Sequence, residues 1–100
     1  IYLMDEPFSA LDSQTQLLLH DQLLGLWEAS RATVMFVTHD IGEAITLADR
    51  VIVMSKKGTG LAEEIRVDLP RPRSADALQA DARYQDLYRR TWMSLKASTE

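Results

Sequence analysis

The sequence predicts an α/β fold built around a parallel sheet. Two observations carry that expectation. Apolar runs without alternation fall at residues 1–4, 33–38 and 51–54, the pattern of strands covered on both faces. Segments with helical spacing separate them, so the order reads strand, helix, strand, helix, strand. One hundred residues with 46% apolar content suffice for one small folded domain.

The first strand, Ile1-Tyr2-Leu3-Met4, stops at Asp5-Glu6-Pro7, because proline lacks a backbone donor and fixes its own φ. The chain opens inside this strand, as an excerpt of a longer protein would. After a loop, Asp12 is a good N-cap for a helix over 13–30. Leu19, Leu23, Leu26 and Trp27 share one face of that helix and are expected in the core. The strand over 33–38 leads to Asp40, which forms a capping box with Glu43 and opens a helix to about residue 48. Beyond the strand at 51–54, Lys56-Lys57-Gly58-Thr59-Gly60 makes a solvated turn. Ile65, Val67 and Leu69 then alternate with Arg66 and Asp68 in a half-exposed fourth strand, closing a β-hairpin. Leu69-Pro70-Arg71-Pro72-Arg73 is a stiff extended connector, since each proline also restricts the residue before it. Ser74 caps a final helix whose stripe is Tyr84, Leu87, Tyr88, Thr91, Trp92 and Leu95.

Composition removes several function classes. A net charge of −4 argues against a nucleic-acid partner, which calls for a basic surplus. The absence of cysteine excludes disulfides and thiolate chemistry. No apolar run is long enough to span a bilayer, and no signal-peptide pattern is visible.

The chemistry-bearing residues cluster at strand ends. Asp5 and Glu6 lie at the C-terminal end of a strand, where open parallel sheets bind ligands. Adjacent strand residues point to opposite sides, so the two carboxylates divide their tasks. One can hold Mg²⁺ on nucleotide phosphates while the other orients and deprotonates an attacking water. The pair by itself is a weak match, and a solvated strand end is the simpler reading of it. His39, at the end of the second strand, reads by itself as a histidine satisfied by backbone groups. His20 sits in mid-helix and is expected to be structural or merely exposed.

Taken together these segments carry a resemblance. Asp5-Glu6-Pro7-Phe8-Ser9-Ala10-Leu11-Asp12 closely resembles the Walker B and D-loop segment of ATP-binding-cassette (ABC) proteins. Val37-Thr38-His39-Asp40 resembles their switch-histidine segment, at the family's separation and with the family's intervening helix. The stretch from Ala44 through Val53, with Leu47-Ala48-Asp49-Arg50, is similar to importer-type members. Phe8-Ser9-Ala10-Leu11-Asp12 also looks like importers, and Val67-Asp68-Leu69-Pro70-Arg71-Pro72-Arg73 resembles the ATPases of nitrate, sulfonate and taurine importers. Three ordered motifs are far more specific than any one of them.

The resemblance implies the C-terminal part of a P-loop NTPase core, with residues 1–69 belonging to the ATPase domain and residues 70–100 forming a connector and helix. It implies that Asp5 holds Mg²⁺, that Glu6 is the catalytic glutamate and that His39 contacts the γ-phosphate of ATP. Ser9 and Asp12 would lie in the D-loop at the interface with a second, identical ATPase subunit. Further implied partners are transmembrane permease subunits and, indirectly, a periplasmic or lipid-anchored solute-binding protein. The implied location is the cytoplasmic face of a bacterial inner membrane.

The 100 residues contain no G-x-x-x-x-G-K-[ST], no Ser-Gly-Gly-Gln signature and no Q-loop. Without phosphate-cradling amides and their lysine, little holds triphosphate against Asp5 and Glu6, so these residues by themselves are expected to be inactive. In the family the P-loop strand lies between the histidine strand and the strand matched here by 51–54. A gap or a new pairing is therefore expected between those two. Two other readings compete: a non-transport ABC protein, and a regulatory module that does not hydrolyse ATP.

Overall fold

The computed structural model describes residues 2–54 and 61–98. The solvated turn expected at Lys56-Lys57 lies outside the described residues. In chain order the elements are β1 (Tyr2–Asp5), α1 (Ser13–Ser30), β2 (Val34–Val37), α2 (Ile41–Leu47), β3 (Arg50–Met54), β4 (Leu61–Arg66), α3 (Ala75–Leu78) and α4 (Ala82–Ser98).

Among the described residues the strands form two separate pairs. β1 and β2 are parallel, with Tyr2 opposite Val34 and Asp5 opposite Val37. β3 and β4 are antiparallel, with Val51 opposite Ile65. The expected parallel sheet is thus present as one pair, and the hairpin as the other. β2 and β3 are not joined, which is the gap expected there rather than a new pairing.

The larger core lies between the β3–β4 hairpin, α2 and α4. Ile45 and Ile65 are fully buried, and Val51, Val53, Val67, Leu69, Leu78 and Tyr84 surround them. Alternation along β3 and β4 explains why: Val51 and Val53 point inward while Ile52 and Met54 point out. β3 had read as covered on both faces, but only one is covered. The same correction applies to β1, where Tyr2 and Leu3 are exposed. Phe36 meets the Phe8 ring of the loop that follows β1, 6.1 Å between centroids, whereas Leu3 and Met35 on the opposite face are exposed.

α1 begins and ends where the sequence places it. The Asp12 side chain accepts from the Thr15 amide at 3.4 Å, and Arg31 ends the helix in the left-handed region at φ 52°. Its buried face differs from the expected one. His20 and Leu24 are buried, Leu19, Leu23 and Trp27 are half-buried, and Leu26 is exposed. Leucines occur almost all round this helix, so periodicity could not choose the face; a tertiary contact of His20 does.

The tail also departs from expectation. Ser74 caps only the short α3, through a bond from the Ala77 amide. A second helix then starts at Asp81, whose carboxylate accepts the Arg83 amide at 2.8 Å and whose carbonyl accepts the Gln85 amide. The Gln85 side chain donates to the carbonyl of Gln79 at the break. Tyr84 and Thr91 of α4 are buried and Leu87 and Leu95 half-buried, whereas Tyr88 and Trp92 are exposed.

Two arginines of the connector fasten it to the rest. The buried Arg73 guanidinium donates to the carbonyls of Leu69, Thr46 and Ala48, the last at 2.8 Å. Burial lowers its pKa to about 10, so it remains charged at neutral pH. Arg71 donates to the Leu47 carbonyl and to Asp49, and lies 4.1 Å over the Trp27 ring.

Candidate functional site

The parallel register brings the C-terminal ends of β1 and β2 level, so the segments after Asp5 and Val37 emerge side by side. The Glu6 amide extends the ladder by donating to the Val37 carbonyl at 2.7 Å. Glu6 then takes φ 46°, a left-handed conformation that costs a non-glycine residue about 1–3 kcal/mol. Backbone strain of this kind clusters at functional sites, because it re-aims a side chain that regular geometry would point elsewhere.

The result is a direct contact. Glu6 Oε1 lies 3.0 Å from His39 Nε2. The contact is electrostatic: imidazole and carboxylate lie close together, but not in the alignment of a hydrogen bond. The Glu6 side chain is 32% exposed and that of His39 is 91% exposed. Such a pair contributes no more than about 1 kcal/mol, so an entering anion can separate the two groups.

Asp5 is exposed at the same strand end and is not joined to Glu6 or His39 by any bond among the described residues. Among those residues no group of three or more His, Cys, Asp or Glu is placed to hold a metal. A lone carboxylate still fits Mg²⁺, which keeps most of its shell for water and substrate phosphates and takes one or two protein carboxylates.

Ser9 and Asp12 stand in the loop between β1 and α1. The Ser9 amide donates to the Glu6 carbonyl at 3.4 Å, and Leu11 donates to Phe8 at 3.1 Å, so the loop turns tightly. Gln16 of α1 holds it from behind, donating to the carbonyls of Phe8 and Leu11. The Thr15 hydroxyl and amide, both donating to Asp12, keep that carboxyl below its ordinary range. Asp12 therefore serves as a helix cap and makes no contact with the Glu6–His39 pair among the described residues.

Below the pair lies a contact that the sequence did not disclose. His20 Nε2 is 2.6 Å from Glu43 Oε2, and both side chains are nearly fully buried. The Phe8 ring meets the His20 ring edge-on, 5.5 Å between centroids. This also corrects the capping box expected at Asp40. The Glu43 amide donates to Asp40 Oδ1 at 3.1 Å, but the Glu43 carboxylate does not return to the Asp40 amide. That amide donates to the Thr38 hydroxyl at 2.9 Å, which frees Glu43 to reach α1. Thr38 ahead of Asp40 is the signal that could have indicated this.

No model of a known protein family matches the chain. Individual relatives do. The chain is 46% identical over all 100 of its residues to an aliphatic sulfonates import ATP-binding protein of Paracoccus denitrificans, spanning 39% of that protein. It is 44% identical over 79 residues to an uncharacterized ABC transporter ATP-binding protein of Methanocaldococcus jannaschii, covering 79% of this chain and 30% of that one. The chain belongs to the ABC family of ATP-binding proteins. It is also 42% identical to a nitrate import ATP-binding protein of Synechococcus elongatus over 88 residues, 87% of this chain and 32% of the relative. The chain spans about a third of the length of the curated relatives it matches. Among the described residues, no helix of this ABC chain is long and apolar enough to cross a membrane.

Proposed function

We propose that the complete protein containing this chain is the ATP-hydrolysing subunit of an importer for a small oxyanion of the nitrate or sulfonate kind. The observation that carries the proposal is the Glu6–His39 contact at the level ends of two parallel strands, with Glu6 held in a strained backbone. The names of the sulfonate and nitrate relatives support the importer class.

Phosphoanhydride hydrolysis needs an in-line water, neutralised charge on the transferring group and exclusion of solvent. When the terminal phosphoryl of ATP enters, the exposed His39 turns from Glu6 and donates its Nε2–H to a phosphate oxygen. Glu6 is left with a free oxygen that orients a water and accepts its proton as the water oxygen bonds to the terminal phosphorus and the bond to the bridging oxygen breaks, releasing ADP and phosphate. Mg²⁺, held by Asp5 and phosphate oxygens, would neutralise charge on the leaving group.

Ser9 and Asp12 face a second copy of the subunit in this proposal, so that the loop carrying Glu6 senses the neighbouring site. Residues 1–69 form the C-terminal portion of the ATPase domain, and residues 70–100 are its connector and tail. The ATPase works beside transmembrane permease subunits on the cytoplasmic face of the bacterial inner membrane, and a solute-binding protein delivers the anion. Residues 1–100 by themselves turn over no ATP, since they lack the phosphate-cradling loop.

ATP turnover by the complete protein tests the proposal. Glu6→Gln is expected to keep Mg-ATP binding and to reduce kcat by at least about 100-fold. Turnover at the parent rate would refute the assignment.

A further inference from the structure

We infer that His20 is a positioning residue for His39, acting through its buried bond to Glu43; the inference rests on the roles proposed for Glu6 and His39. The exposed His39 side chain is not fixed by its own surroundings. Its contact with Glu6 is solvent-screened and weak, so the placement of its imidazole depends on where the backbone at the start of α2 is held.

Two bonds hold that backbone. Asp40, next to His39, accepts the Glu43 amide at 3.1 Å. Glu43 in turn is bound at 2.6 Å to His20 of α1, with both side chains about 5% exposed. On its other side the His20 ring meets Phe8, two residues beyond Glu6. The links therefore close a ring: Glu6 to Phe8 along the chain, Phe8 to His20, His20 to Glu43, Glu43 to Asp40, Asp40 to its chain neighbour His39, and His39 back to Glu6. Only the last of these is exposed. A bond shielded from water holds its geometry far better than the surface pair it supports.

The ring explains why the reciprocal half of the capping box is given up. A Glu43 carboxylate returned to Asp40 would stabilise α2 alone. Turned to His20, it fixes α2 relative to the loop that carries Glu6, and the Thr38 hydroxyl takes over the Asp40 amide. Loss of His20 would leave the Glu43 carboxylate buried without its partner, and the first turn of α2 would shift to bring it to water.

The test is steady-state ATP hydrolysis by the complete protein. His20→Ala is expected to lower kcat about tenfold or more, with KM for ATP within about twofold of the parent, because misplacement acts on the reacting geometry. His20→Gln, whose amide can donate to Glu43, should recover most of kcat. In a His39→Ala background, His20→Ala should cost less than about twofold further, since its effect passes through His39. The crystal structure of the His20→Ala protein should show His39 and Glu6 beyond hydrogen-bond distance. Equal losses from His20→Ala with and without His39, or a retained 3.0 Å contact in the variant, would overturn the inference. If His20→Ala does not fold, His20→Asn, too short to reach Glu43, is read by the same measurements. Active Glu6→Gln would sink the underlying assignment, whereas dead Glu6→Gln beside fully active His20→Ala would sink this inference alone.

Discussion

Gly42 occupies the first turn of α2, three residues after His39, and packing there makes a sign-reversing prediction. Alanine normally stabilises a helix relative to glycine by about 0.5–1 kcal/mol. A Cβ built at Gly42, however, would stand 2.6 Å from the hydroxyl oxygen of Tyr84, where ordinary contact begins at 3.4 Å. The Tyr84 ring is 5% exposed and belongs to the core, so it can retreat only by shifting α4. Overpacking of this kind costs about 1–3 kcal/mol, which outweighs the propensity gain. Gly25 of α1 is the control, because a Cβ there would meet nothing within 4 Å. Gly25→Ala should therefore raise the melting temperature and Gly42→Ala lower it, with a gap of at least about 4 °C. Thermal unfolding followed by circular dichroism measures both. In a Tyr84→Phe background, which removes the obstructing oxygen, Gly42→Ala should lose most of its penalty. If Gly42→Ala instead stabilises as much as Gly25→Ala, α4 does not pack on α2 as described.

Two further predictions concern the tail. Hydrogen bonds from the Arg83 side chain and amide hold the Asp81 carboxyl at about 2, below its ordinary 3.8. Since the folded-state value is the depressed one, its stabilising contribution is complete above about pH 4 and is lost as pH falls towards 2; melting curves between these limits should show a steeper acid loss for the parent than for Asp81→Asn. Arg73→Met keeps the apolar stem but strands the carbonyls of Leu69, Thr46 and Ala48, and urea unfolding should register a loss of about 1.5–3 kcal/mol.

How much of this was legible varies with how local the cause is. The start of α1 at Asp12 and that of α2 at Asp40 follow from side chains bonding amides three residues on, and both were readable. The alternating burial of Ile65, Val67 and Leu69 was readable too, but the strand expected to hold them is displaced: β4 runs from Leu61 to Arg66, so Val67 and Leu69 continue the alternation beyond its end. The break before α4 is not legible, because Ser74 and Asp81 are both good caps and nothing local says which one starts the longer helix. β1 and β3 are apolar on both faces, but the described elements cover only one, and no pattern within a strand reveals what lies against it. At the proposed site, Asp5, Glu6 and His39 stand out in the sequence because they end strands within recognisable motifs. His20 and Glu43 were not, since α1 offers leucines on nearly every side and an isolated histidine among them carries no sign of its partner.

The most direct measurement of the central claim is the position of bound nucleotide in the complete Glu6→Gln protein, crystallised with ATP and magnesium. The terminal phosphoryl should lie within hydrogen-bond distance of His39 Nε2, with residue 6 facing an in-line water and Asp5 on the metal side. A terminal phosphoryl seated away from both residue 6 and His39 would contradict the account.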